Sequence, residues 1–82
     1  MSILTGAQIR MARSALGWSA EALAERCGIA SKTVRRIEAV DGIPHTTAKT
    51  LASLQKTLES AGIEFIGSPE DAPGIRIHNP PG

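Results

Sequence analysis

The stretch Ala20-Glu21-Ala22-Leu23-Ala24-Glu25-Arg26-Cys27-Gly28-Ile29-Ala30-Ser31-Lys32-Thr33-Val34-Arg35-Arg36-Ile37 decides the fold. Leu23, Ala24 and Cys27 fall on one helical face, and Glu21, Glu25 and Arg26 fall on the other. Gly28 ends that helix by accepting a left-handed backbone. Ile29 plugs the linker, and Val34 and Ile37 anchor a second short segment whose Lys32, Thr33, Arg35 and Arg36 must face outward. Two short helices that cross steeply need a small residue at their contact, a glycine in the turn and apolar anchors on both sides. Ala24, Gly28 and the anchors Leu23, Cys27, Ile29, Val34 and Ile37 meet each demand. The first of these helices, only about eight residues long, is unstable in isolation, so it must pack on its neighbours.

Upstream, Thr5-Gly6-Ala7-Gln8 has the spacing of a capping box, which predicts a helix over 6–16 with Ile9, Ala12 and Leu16 inward. Gly17 closes it. Ser19 is a good N-cap for the next helix, and Trp18 before it packs on Leu23 as a hydrophobic staple, a core role and not that of a ligand platform. Downstream, a third helix spans 31–40. Val40 resists left-handed geometry, so this helix is expected to run on toward Asp41 and Gly42. After the loop 41–44, a longer helix over 46–61 turns Ala48, Leu51, Leu54 or Ala52, Leu58 and Ala61 inward, and Gly62 ends it. The period then changes. Residues 63–66 and 75–78 are β-prone runs flanking the turn-rich 67–74, which predicts a hairpin with a long loop. An isolated hairpin is marginal in water, so this one must pack on the helices or on another chain. The expected organisation is a helical domain over 1–61, a hairpin over 62–78 for dimerisation or partner binding, and a disordered tail over 79–82.

With 82 residues the chain makes one domain near the lower limit of independent folding. Aromatics are 2% against 41% hydrophobic, so the core is built from Ala, Leu, Ile and Val, which favours closely packed helices. Cys27 is alone and excludes an internal disulfide; no apolar run approaches the ~20 residues of a membrane span, and no secretory signal is visible at the start. A soluble, reducing compartment, the cytoplasm, is expected. Cys27, His45 and His78 have no metal-ligand spacing, and no acid, base and nucleophile share a motif. Neither catalysis nor a cofactor nor a metal is implied.

The formal charge of +1 hides an asymmetry. From Met1 to Arg36, six basic residues (Arg10, Arg13, Arg26, Lys32, Arg35, Arg36) face Glu21 and Glu25, leaving +4. From Thr57 onward only Arg76 opposes Glu59, Glu64, Glu70 and Asp71, leaving −3.

The runs Ile9-Arg10-Met11-Ala12-Arg13, Leu16-Gly17-Trp18-Ser19, Leu23-Ala24-Glu25-Arg26-Cys27-Gly28-Ile29 and Thr33-Val34-Arg35-Arg36-Ile37-Glu38 resemble the Cro/C1-type, or xenobiotic-response-element-type, helix-turn-helix regulators. The resemblance covers Ile9 to Glu38 and implies a mainly α, lambda-repressor-like bundle of about four helices with a short C-terminal β-hairpin. It implies a recognition helix over 31–40, about 15 Å long, that enters the major groove of double-stranded DNA. Ser31, Lys32 and Arg36 would read bases, with Arg35 beside them; an arginine can grip guanine through O6 and N7. Thr33 is near enough to touch bases or phosphates and is assigned to the backbone. The start of the second helix, Ser19 and Ala20, would lie on a phosphate through its amides. Ala20 stands where the family usually has glutamine, so one side-chain contact is missing. Ala30 replaces the usual serine cap, which leaves Ser31 as a shifted cap. Arg10 and His45 are expected to be exposed and to touch phosphates. Arg13 and Glu38 occupy positions that pair in similar proteins, so Glu38 is structural. A homodimer on a palindromic operator is expected, since two recognition helices one DNA turn apart gain affinity, and the hairpin and the long fourth helix are its available surfaces. Autorepression is the expected role. The rival reading is an antitoxin or antiactivator whose acidic hairpin grips a protein partner through an open strand edge.

Overall fold

The computed structural model describes residues 4–78; the tail 79–82, expected to be disordered, lies outside the described residues. Four helices, α1 (Gly6–Ala15), α2 (Ala20–Cys27), α3 (Ser31–Glu38) and α4 (Ala48–Ser60), precede an antiparallel hairpin of β1 (Ile63–Ser68) and β2 (Asp71–Ile77). No helix among the described residues is long and apolar enough to cross a membrane.

Local chemistry sets the helix starts. Thr5 Oγ1 accepts from the Gln8 amide at 3.1 Å while the Thr5 amide donates to Gln8 Oε1 at 3.0 Å, a closed capping box. Ser19 accepts from the Ala22 amide at 3.0 Å, and Gly28 takes φ of 72° to turn the chain between α2 and α3. Leu23, Ala24, Val34 and Ile37 then meet Ile9 and Ala12 of α1, Leu54 and Leu58 of α4, and Leu4 and Ile63 in one buried cluster. Trp18 and Cys27 pack against its margin and are only partly buried. Within α4, the inward face is Leu54 and Leu58 with Leu51 beside them; Ala48 and Ala52 are exposed.

Two predicted boundaries differ from the structure. Helix α3 stops at Glu38 instead of running through Val40. Arg10 Nη1 donates to the last carbonyl, Glu38 O, at 2.6 Å, and the α3 end and its exit loop lie so close to α1 that a Cβ on Gly6 would sit 2.3 Å from Ile37 O and 1.9 Å from Val40 O. Gly6 in turn donates its amide to Gly42 O at 2.9 Å. A glycine at the start of α1 thus admits the α3 exit loop, and no left-handed residue is needed to end α3. The hairpin loop is the other difference. Both strands extend into the region expected to be a long loop, leaving only Pro69 and Glu70 between them. A bulge makes this work: Ala72 and Pro73 lie opposite Gly67 alone, with Gly67 at φ of 77° and Ala72 at φ of 52°.

The hairpin packs back onto the helices through Ile63, Phe65 and Ile75. Gln8 fastens it: Nε2 donates to Ile66 O at 3.1 Å and Gly74 O at 2.9 Å. On its outer face, Glu64 accepts from Arg76 at 3.2 Å and contacts His78 Nε2 at 2.7 Å. The His78 hydrogen bond, with the charge of Arg76 assisting, holds the Glu64 carboxyl below its ordinary pKa.

The tie between α1 and α3 is ionic. Arg13 Nε donates to Glu38 Oε2 at 2.8 Å and Nη2 to Oε1 at 2.9 Å, while Nη1 donates to Trp18 O at 2.8 Å. The Glu38 side chain is only 8% exposed. Its hydrogen bonds raise the Arg13 pKa.

Two outcomes follow from these contacts. Replacing Arg13 with Ala strands a buried carboxylate and should lower the unfolding free energy by about 3 kcal/mol in chemical denaturation, whereas an Arg13→Met, Glu38→Leu double variant should recover most of that loss. A Glu64 pKa lowered on folding contributes stability that is present above the unfolded value and is lost as pH falls through the folded one. The Glu64 side-chain carboxyl should therefore titrate at higher pH in His78→Ala than in the parent, as followed by carbon NMR.

Candidate nucleic-acid interface

Helix α3 has two sharply different sides. Val34, Ile37 and Glu38 are buried, and Lys32, Arg35 and Arg36 are exposed. With three cations in eight residues and its apolar side in the core, the helix projects a basic ridge about 12 Å long. No side chain caps its start: Ala30 is the N-cap residue and makes no cap bond, and Ser31 is the first helical residue. Ser31 therefore does not act as a shifted cap; its hydroxyl is at 3.5 Å from Arg35 Nη1. Thr33 is half-buried.

The exposed cations differ in how they are held. Lys32 has no hydrogen-bond or ion-pair partner among the described residues. Arg35 is paired with Glu21, in the first turn of α2. Arg36 donates through Nη1 to the backbone carbonyl of His45. That contact brings together α3 and the loop before α4, and His45 keeps its ring exposed there. Ser19 and Ala20 open α2 on the same two-helix unit; Ser19 is exposed and already caps Ala22, and Ala20 packs on the core margin.

Arg10 differs from the expectation. Its guanidinium does not stand free, because it reaches Glu38 O and also pairs with Asp41 at 2.8 Å. It braces the end of α3 and its exit loop. Proximity in space explains why spacing did not show this: Arg10 and Asp41 are joined across 31 residues of sequence.

Glu21 and Lys49 flank α3 from the neighbouring helices of the chain, α2 and α4. Glu21 sets the position of Arg35, and no local pattern connects residues so far apart in sequence. Lys49 is exposed in the first turn of α4, just beyond the loop that Arg36 contacts. A signal for it was present, since a lysine following a Thr47 N-cap marks a helix start close to the motif.

The arrangement is suited to a polyanion with regular grooves. Helix starts offer free amides and a favourable dipole, and guanidinium and ammonium groups on a narrow helix can reach base edges and phosphates. Among the described residues no group of acidic, His and Cys side chains is assembled that could hold a metal ion.

No curated protein matches the chain. A family model described as a helix-turn-helix domain matches residues 5–59, which takes in all four helices except the last residue of α4 and excludes the hairpin. With two thirds of its length matched and a glycine-linked α2–α3 pair bearing an exposed basic ridge, the chain belongs to the helix-turn-helix domain family of DNA-binding proteins.

Proposed function

We propose that the protein is a sequence-specific regulator of transcription, of the Cro/C1 type, that inserts α3 into the major groove of an operator. The observation that carries this reading is the exposed basic ridge of Lys32, Arg35 and Arg36 on a helix whose other side is fixed in the core. Ser31, Lys32, Arg35 and Arg36 read base edges. Ser19, Ala20 and Thr33 lie against the backbone, where the α2 amides receive a phosphate. His45 approaches the backbone beside Arg36. Arg10 contributes by bracing α3, and contact with a phosphate requires it to exchange Asp41. The protein acts in the cytoplasm, without a cofactor, as a dimeric repressor of its own promoter.

The dimer is proposed to form through the hairpin, which lies outside the matched helical segment and leaves Ile77 59% exposed beside an open strand edge. A strand edge can pair with a second copy or with another protein. An antitoxin or antiactivator role is the second reading, favoured by the same open edge.

Direct readout is tested on an operator selected from a random duplex pool. Arg36→Ala should cost about 1–3 kcal/mol on that operator and much less on random duplex, with unchanged circular dichroism. Equal losses on both would leave phosphate attraction alone. Sedimentation across the micromolar range, with and without operator, should show a dimer. A monomer in every condition would refute dimeric binding and leave the hairpin edge to a different protein.

A further inference from the structure

Away from α3, a groove of about 470 Å³ opens between Trp18, Arg26 and the C-terminal half of α4, where Lys56, Thr57, Ser60 and Ala61 line it. We propose that this groove is a binding site for a flat, acid-bearing small molecule, an aromatic carboxylate. Its size lies within the range of about 300–1,000 Å³ typical of small-ligand sites.

The lining is chemically one-sided. It holds two cations, two hydroxyls, an indole and a methyl group, and no carboxylate. Neither Arg26 nor Lys56 has a hydrogen-bond or ion-pair partner among the described residues. The Arg26 guanidinium lies 4.2 Å from the centroid of the Trp18 ring. Stacking occupies the face of a guanidinium and leaves its N–H groups, which lie in the plane, free to donate to an acid. The indole in turn is only half-buried, contrary to its expected role as a pure core staple.

The helix also fixes which way round the ligand lies. The C-terminal end of α4 carries partial negative charge, so an acid group is disfavoured beside Ser60 and Ala61. Lys56 stands more than a turn earlier, and Arg26 lines the same groove. The acid is therefore placed on Arg26 and Lys56, with Thr57 supplying a hydroxyl, and the apolar body runs along α4 toward Ala61. From Lys56 to Ala61 the helix rises about 7.5 Å, close to the length of two fused aromatic rings.

Trp18 is the sole tryptophan, so its indole N–H gives one isolated NMR signal inside the groove. The full chain is titrated with naphthalene-2-carboxylate, with naphthalene-2-carboxamide and acetate as controls. Saturable shifts of the Trp18 indole and the Lys56, Thr57 and Ser60 amides are expected, with Kd below about 1 mM, and at least tenfold weaker binding of both controls. Lys56→Gln, an exposed change that keeps a good helix former, should weaken the carboxylate about fivefold and leave the amide unaffected. Shifts that do not saturate, equal binding of the amide, or shifts centred on α3 would overturn the proposal. None of these outcomes depends on whether the protein binds DNA.

Discussion

The Arg13–Glu38 pair is the constraint on which the rest of the fold depends. Helices of eight residues have little stability of their own, and burial of a few aliphatic side chains leaves their relative angle loosely fixed. A two-pronged guanidinium–carboxylate contact is directional, so it sets an angle as well as a distance. Arg13 reaches at once to the α3 side chain and to the Trp18 carbonyl ahead of α2. One residue of α1 therefore locates both members of the helix pair. Arg10 adds a second grip on the end of α3, which leaves its opposite end and outer side free to meet a partner.

The formal charge of +1 understates what the surface can do, because the charges are segregated and differently engaged. On α3, Arg35 and Arg36 are each held by a group of the protein, Glu21 and the His45 carbonyl, whereas Lys32 is not. Any partner that recruits the two arginines exchanges one hydrogen-bond acceptor for another. Such exchange lowers the net gain per contact and makes it depend on how well the new acceptor fits. Held side chains also lose less freedom on binding than mobile ones do.

How much was legible in the sequence depended on how far each determinant reaches along the chain. Thr5 with Gln8, Ser19, and Gly28 are local signals, and the starts of α1 and α2 and the turn into α3 follow from them. The end of α3 was misread because Gly6, Arg10 and Gly42 decide it, and these lie on separate segments. The hairpin loop was misread for a different reason. Ala72 adopts a left-handed backbone that propensity assigns to glycine, and it does so because the bulge opposite Gly67 requires it. At the candidate interface the exposed cations of α3 were readable from period alone. Their partners were not, since Glu21 and His45 become neighbours only after folding.

Gln8 carries a consequence for how the molecule comes apart. Its amide oxygen accepts from the Thr5 backbone at the start of α1, and its amide nitrogen donates to both strands of the hairpin. A single planar group is thus shared between a helix cap and a sheet. Peeling the hairpin away therefore leaves the amide nitrogen without both of its acceptors, while the amide oxygen stays on the cap. Ile63 belongs to the same buried cluster, so lifting the hairpin also uncovers part of the core that the helices share.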